Sequence, residues 1–194
     1  MHRTRKGRLL LVLAVALVAA TAVAVAKSQS GSAAPQTTHK LIGGLVTQLQ
    51  VLTNDSAATI GSTSYVTIPG GVTFVPVPPS SRALIKAQFD AESACYGDGS
   101  AGHWCSIRIL IGGIEGSPQS GLDFAFDSTN AGRETATSWE SHSMTRARCF
   151  VDTSGSTVNV PVVVQAAVPG SGVFFRLDDW ELDTYRTNVC SQSF

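Results

Sequence analysis

Charged side chains are scarce in this 194-residue chain, of which Lys, Arg, Asp and Glu make up only 14%. Four of the 14 basic residues lie within the first eight positions, so residues 27–194 hold 10 basic and 14 acidic residues, a net charge of −4. A protein that binds nucleic acid by neutralising phosphates needs an excess of basic side chains. The composition therefore argues against that class, and solubility depends instead on the 38 Ser and Thr residues after position 26.

Motifs of the common catalytic and nucleotide-binding sites are also absent. The chain has no G-x-S-x-G elbow, no H-E-x-x-H and no P-loop. Gly97, Gly99 and Gly102 match the spacing of a dinucleotide fingerprint, but no helix follows them, which favours a hairpin loop. We therefore expect no enzyme. An extracellular hydrolase is the third hypothesis, because Glu140 and His142 share a strand face on which a carboxylate could orient an imidazole.

The N-terminus has the pattern of a secretory signal peptide. A basic head at 1–8 precedes an apolar stretch at 9–26, which ends in the small-residue sequence Ala-Val-Ala. We predict cleavage of this segment and a secreted, extracellular protein; an uncleaved anchor is the rival interpretation, because 18 residues just span a bilayer. Residues 27–40 are polar and aperiodic, which predicts a disordered spacer. Residues 41–194 are then expected to form a single domain.

Only four cysteines are present, an even number that predicts two disulfides in an exported chain. Four cysteines allow three pairings, and sequence alone does not choose among them. We favour Cys95–Cys105, because the nine Gly-rich residues between them can fold back, and Cys149–Cys190 follows by default. The alternative is a metal site of Cys95, His103, Cys105 and Cys149, although these residues lack the C-x2-C spacing of zinc sites.

Much of the remaining chain alternates with a period of two, which is typical of β-strands rather than helices. The clearest alternation is at 83–91, where apolar residues on one face oppose polar residues on the other. Similar apolar sets occur at 105–111 and 158–168, and a further strand is predicted at 45–52. We expect an all-β fold, an antiparallel two-sheet β-sandwich of about eight strands.

The last predicted strand contains two apolar sets that conflict. Leu177 and the apolar residues before it have one parity, whereas Trp180 and Leu182 have the other. A regular strand cannot turn both sets inward, because its side chains alternate between two faces. One extra residue shifts the register by one, so we predict a β-bulge at Asp178-Asp179.

Six segments carry a resemblance to a known group of proteins: TSYVTIPGG, PSSRALIKAQFDAESAC, WCSIRILIGG, GLDFAFDST, WESHSMTR and FRLDDWEL. They are similar to secreted bacterial β-sandwich proteins of unknown function, over roughly residues 60–186. The layout also loosely resembles jelly rolls of the tumour-necrosis-factor type. The resemblance implies a jelly-roll-like sandwich and no particular activity, since fold does not specify function.

Acidic residues mark a candidate calcium site. Asp178 and Asp179 precede Trp180, and Asp127 begins a polar loop. Calcium binds about six to eight oxygen ligands, often from carboxylates and loop carbonyls. In carbohydrate-binding jelly rolls, a calcium ion often joins the last strand to a loop near an acidic residue that precedes an aromatic one, and the resemblance implies such an ion here. The alternative is a charged outer face beside a bulge.

His103 and Trp104 lie between the first two cysteines and form a candidate ligand-binding tip, although an ordinary loop pair has the same sequence. We expect a secreted, non-catalytic binding or structural module with no cofactor beyond that calcium ion. Its partner is expected to be an extracellular glycan or protein, and not a nucleic acid or, after signal cleavage, a membrane. The alternative is a lectin-like carbohydrate-binding module with a structural calcium ion.

Overall fold

Eleven strands and one short 3-10 helix form the part of the chain that the structure describes. This computed structural model describes residues 37–41, 46–98, 102–119, 125–188 and 190, so the predicted signal peptide lies outside it. These ranges contain no helix with the length and hydrophobicity of a membrane span. The elements are β1 (Thr37–Leu41), β2 (Gln48–Asn54), β3 (Ala58–Ile60), β4 (Val66–Val77), β5 (Arg82–Gly97), β6 (Trp104–Ile111), β7 (Ile114–Glu115), β8 (Asp127–Ser128), the 3-10 helix (Asn130–Gly132), β9 (Glu140–Val151), β10 (Val158–Ala167) and β11 (Val173–Thr187).

The strands form two antiparallel sheets, which we call sheet A and sheet B. Sheet A has the order β1-β2-β11-β5-β9, and β3 also pairs with β11. Sheet B has the order β4-β10-β6-β7, and β8 also pairs with β6. The predicted all-β, two-sheet fold is confirmed. The described strands outnumber the expected eight because β3, β7 and β8 have only two or three residues, too few for a period of two to be visible.

The inward faces of both sheets share one hydrophobic core. The apolar residues predicted to face inward on β5, β6 and β10 are buried, most of them completely, except Val158, which is half-buried and packs against the core. Phe89 of β5, Ile109 of β6 and Val162 of β10 are each 0% exposed. Complete burial of such a side chain contributes about 1.5–3 kcal/mol relative to an exposed position.

β11 contains the predicted bulge. Asp178 pairs with Glu92 of β5, and Glu181 pairs with Asp90, so three steps along β11 match two steps along β5. Asp179 lies within the shifted segment and has a φ of 42°. Asp adopts this left-handed conformation more readily than most residues, and a bulge increases the local twist of its strand.

The bulge turns both apolar sets of β11 into the core. Phe175 and Leu177 before it are 0% exposed, and Trp180 and Leu182 after it are 1% and 0% exposed. The Trp180 ring packs against Phe89, with 5.8 Å between ring centroids. The conflict in the sequence is therefore resolved by one extra residue.

Both predicted disulfides are present, Cys95–Cys105 and Cys149–Cys190. All four cysteines are thus bonded, so the alternative of a metal site made of their thiolates is wrong. Cys95 lies on β5 of sheet A and Cys105 on β6 of sheet B. The first disulfide therefore links the two sheets through the core, where both of its residues are 0% exposed.

The segment between β5 and β6 is not the predicted hairpin. The two strands belong to different sheets, so the chain crosses between the sheets at this point. Gly97, at the end of β5, has a φ of 110°, and a Cβ there would lie 2.1 Å from the carbonyl oxygen of Gly172. Gly97 therefore serves a close backbone approach rather than a two-residue turn.

The N-terminal part of the domain differs from its prediction in two ways. Residues 37–40, expected to be disordered spacer, belong to β1 and pair with β2, whereas the rest of the spacer lies outside the described residues. β2 begins at Gln48 rather than at residue 45, and the buried Gln50 donates a side-chain hydrogen bond to Thr73 of β4. A polar contact between the sheets thus occupies a buried position of β2.

β9 lies at one edge of sheet A and directs two arginines inward. Arg146 is 4% exposed, and Nη1 of Arg148 donates to the carbonyl oxygen of Ile111 at 2.5 Å. The segment after β7 pairs with this edge, because Ser117 and Ala147 exchange backbone hydrogen bonds of 2.8 and 3.0 Å. The edge is therefore partly covered by the chain itself.

We predict that Trp180→Ala lowers the free energy of unfolding by about 3–5 kcal/mol, because the change removes a buried indole and leaves a cavity. Urea denaturation followed by circular dichroism measures the difference. Phe174→Ala is the matched control on the same strand, since its ring is 43% exposed, and it should cost much less. Equal losses in the two variants would contradict the role of the bulge in burying Trp180.

Replacing Cys95 and Cys105 together by Ala should lower the free energy of unfolding by about 2–5 kcal/mol, the usual cost of losing a disulfide in a small exported domain. The same denaturation experiment measures this loss. Non-reducing peptide mapping of the parent protein should recover the Cys95–Cys105 and Cys149–Cys190 peptides. A Cys95–Cys149 peptide would show that the pairing is different.

Candidate functional site

A cavity of 590 Å³ opens on the outer face of sheet B. It lies where β6 begins and β10 ends, and the loop before β4 forms its third wall. The lining consists of residues 63–65 of that loop, Trp104, Ser106 and Arg108 of β6, and residues 167–169 after β10. Its volume is within the range of about 300–1,000 Å³ that is usual for small-molecule sites.

Strand alternation explains how β6 contributes to this cavity. The residues between Trp104, Ser106 and Arg108 are completely buried in the core, so these three side chains lie on the outer face. The loop before β4 is held against the end of β10 by a hydrogen bond of 2.9 Å from the backbone N–H of Val168 to the carbonyl oxygen of Ser62. Two distant parts of the sequence thereby meet at one site.

Arg108 and Tyr65 form the polar wall of the cavity. The guanidinium carbon of Arg108 lies 4.2 Å from the centroid of the Tyr65 ring, a cation–π contact. Nε of Arg108 donates to Oε1 of Gln165 at 2.7 Å. Partial burial raises the pKa of Tyr65, and a hydrogen bond with Ser106 opposes this rise. The wall therefore presents an oriented cation beside hydroxyl groups.

The structure separates the two residues that were predicted to form a ligand-binding tip. Trp104 lines the cavity, and its side chain is among the exposed large hydrophobic ones, at 40%. His103 is not among the lining residues: its backbone N–H donates to Oγ1 of Thr129 at 3.0 Å, and its Nε2 lies 3.4 Å from Oδ2 of Asp98.

Arg108 and Tyr65, which form the polar wall, were not identified as site residues from the sequence. Arg108 carries a signal, because it has the same parity on β6 as Trp104. Tyr65 carries none, because its place beside Arg108 depends on the pairing of β10 with β4 and β6.

A second polar group lies between the sheets, at the start of β6 where β8 pairs with it. It consists of Ser93, Asp127, Glu140 and His142, and we call it the Asp127 cluster. Oγ of Ser93 lies 2.7 Å from Oδ2 of Asp127 and 3.0 Å from Nδ1 of His142. Nε2 of His142 lies 3.6 Å from Oε2 of Glu140. The backbone N–H of Ser128 donates to Oδ1 of Asp127 at 2.6 Å.

Ser93 is not arranged as a nucleophile. It is 0% exposed, and its hydroxyl has a single proton. An ionised carboxylate only accepts hydrogen bonds, so this proton points to Asp127 and not to His142. An activated serine instead donates its proton to a neighbouring base.

The three predicted calcium ligands do not come together. Asp127 is 6% exposed and faces the interior. Asp178 and Asp179 lie at the bulge, where alternation with the buried Leu177 places Asp178 on the outer face of sheet A, opposite Glu92. A single ion held by all three residues is therefore excluded, and calcium at the bulge alone stays a prediction.

Acidic residues near the bulge change the pKa of their neighbour Glu181. Partial burial raises the pKa of Glu181, and the negative charges of Asp183 and Asp90 raise it further. A carboxyl group whose pKa is higher in the folded state than in the unfolded state costs stability once it ionises. The cost is absent below the unfolded pKa of Glu and develops as the pH rises through the raised, folded value.

Glu181→Gln should therefore raise the melting midpoint at pH 7 and leave it nearly unchanged near pH 4. Gln keeps the shape of the side chain and a donor toward Asp183, but removes the charge. Differential scanning calorimetry across this pH range measures the effect. Asp55→Asn is the control, because Asp55 is exposed in the loop between β2 and β3. A lower midpoint for Glu181→Gln at pH 7 would show that the charge is favourable.

Comparison with known proteins identifies no family. No protein family matches the chain, and no curated protein matches it. Among solved structures, the chain is similar to dimeric latent PorU from Porphyromonas gingivalis, with 14% identity and a TM-score of 0.32. The match covers 70% of this chain and 13% of that chain. At such a TM-score, the likeness carries no argument about fold or function.

Proposed function

We propose that this protein is an extracellular, non-catalytic binding module that holds a saccharide against Trp104. The observation that carries the proposal is the cavity on sheet B. An exposed indole, an oriented guanidinium and several hydroxyl groups line that cavity together. Ligand sites typically combine apolar surface with a few polar groups that fix the orientation of the ligand.

The chemistry of the lining suits a sugar ring. A sugar has a face of C–H groups and a rim of hydroxyl groups. The indole of Trp104 offers a large, rigid apolar surface for the C–H face, at a low cost in conformational entropy. Arg108, Thr63 and Ser64 offer donors and acceptors for the rim. None of the lining residues is a carboxylate, so this form of the lectin-like hypothesis requires no calcium ion.

An extracellular location is supported by the disulfides and by the N-terminal sequence. Disulfides persist in oxidising compartments and are rare in the reducing cytosol. The basic head and apolar stretch at 1–26 have the order of a secretory signal. A non-catalytic role is supported by Ser93, whose buried hydroxyl is committed to Asp127.

We further propose that the sandwich is a jelly roll. Eight of the strands support this topology: β2-β11-β5-β9 in sheet A and β4-β10-β6-β7 in sheet B. Those of the eight that follow one another along the chain lie in alternate sheets, except β6 and β7, as in the double Greek key of a jelly roll. Jelly rolls occur in lectin domains, although the fold itself does not assign a ligand.

A glycan array probed with the purified protein tests the saccharide proposal. We expect binding to a restricted set of glycans, and Trp104→Ala should lower the affinity for them about tenfold or more. Such a loss corresponds to about 1.4 kcal/mol, which is within the contribution of one aromatic contact. Isothermal titration with the best glycan measures the affinity.

Phe74→Ala is the matched control, because Phe74 is an exposed aromatic residue, at 53%, that does not line the cavity. It should bind like the parent protein. If no glycan binds, or if Trp104→Ala binds as well as the parent while its circular dichroism is unchanged, the proposal is wrong.

A further inference from the structure

The Asp127 cluster contains three metal-ligating side chains that the saccharide site does not use. One ligand atom from each of Asp127, Glu140 and His142 lies within 4.8 Å of the other two. Asp127 comes from β8, and the other two residues come from the start of β9. Sheet pairing brings them together, since β9 pairs with β5 at Ser93 and Asp127 bonds to that same serine.

Hydrogen bonding fixes which nitrogen of His142 carries a proton. Ser93 donates its only hydroxyl proton to Oδ2 of Asp127, so its oxygen can only accept from Nδ1 of His142. Nδ1 is therefore protonated. In the neutral imidazole, the lone pair is then on Nε2, the nitrogen that lies 3.6 Å from the Glu140 carboxylate. A ring nitrogen lone pair and a carboxylate oxygen at this distance can both be ligands of one metal ion.

We propose that Asp127, Glu140 and His142 bind a divalent transition-metal ion, with zinc as the ion that fits best. The imidazole nitrogen and two carboxylates are ligand types that zinc accepts, and three protein ligands leave a fourth position for water. Calcium prefers six to eight oxygen ligands and no nitrogen, so this set selects against it.

The hydrogen bond of Nδ1, the other ring nitrogen of His142, is the one expected of a metal-bound histidine. Such a residue usually donates its other ring N–H to a polar group that holds its orientation, and Ser93 accepts that bond here. The imidazole also packs against the ring of Phe126, with 5.6 Å between centroids. The ring is therefore held on two sides.

An ion can reach this position from solvent. The side chain of His142 is 28% exposed and that of Glu140 is 60% exposed. Ligand atoms of a tetrahedral zinc site are about 3.4 Å apart, given bonds of about 2.0–2.2 Å. The His142–Glu140 distance already matches this separation, and the exposed Glu140 side chain is free to close on the ion.

Titration of the purified, tag-free protein with zinc chloride tests the proposal. We expect one zinc ion per chain by isothermal titration calorimetry, and weaker binding of calcium and magnesium under the same conditions. With cobalt(II) in place of zinc, visible absorption typical of tetrahedral coordination should appear. His142→Ala and Glu140→Gln should each lower the zinc affinity about tenfold or more and weaken that absorption.

His103→Ala is the matched control, because it removes a second histidine that also lies beside a carboxylate, that of Asp98. Its zinc affinity should equal that of the parent. The proposal is overturned if the parent binds no zinc, if His142→Ala binds zinc as well as the parent, or if calcium binds as tightly as zinc. Glycan binding does not enter these measurements, so this result is independent of the saccharide proposal.

Discussion

The bulge at Asp179 decides which side chains of β11 enter the core, and sheet A depends on that strand. β11 pairs with β2, β3 and β5, so a shift in its register would change its pairing with all three strands. Without the extra residue, Trp180 and Leu182 would lie on the outer face among acidic side chains. The core would then lose its largest buried ring. One left-handed residue thus keeps a fifteen-residue strand in contact with the core along most of its length.

Period-two alternation was enough to predict the core and the bulge, because strand geometry alone decides which side chains point to the same face of a sheet. The disulfide pairing could also be predicted, since a short Gly-rich spacing favoured Cys95–Cys105. The pairing partners of strands could not be predicted. The β5–β6 connection was expected to be a hairpin, yet it joins two sheets, because partner choice depends on how the whole sandwich closes. The same reason explains why residues 37–40 were expected to be disordered. They form part of β1 by pairing with β2, and their own sequence does not show this pairing.

The sites show the same division between local and long-range information. Trp104 was identified from its position between two cysteines, and Glu140 and His142 were correctly placed on one face of a strand. Tyr65, however, reaches Arg108 only through the order of strands in sheet B. Ser93 is an inward residue of β5 that no local motif marks, and it joins Asp127 to His142 across the gap between the sheets. A site that combines side chains from two sheets cannot be recognised from the sequence of any one strand.

The inward arginines of β9 bear on how copies of this protein behave toward one another. An exposed sheet edge presents unpaired backbone groups to any other strand, and proteins protect such edges with inward charges or short covering segments. β9 has both features: Arg146 and Arg148 lie on its inner side, and the Ser117–Ala147 bridge already occupies hydrogen-bonding positions along its edge. A second copy that tried to extend sheet A from this side would have to displace that bridge and accommodate buried guanidinium groups. This edge is thus built to resist the growth of sheet A from one copy of the protein into another.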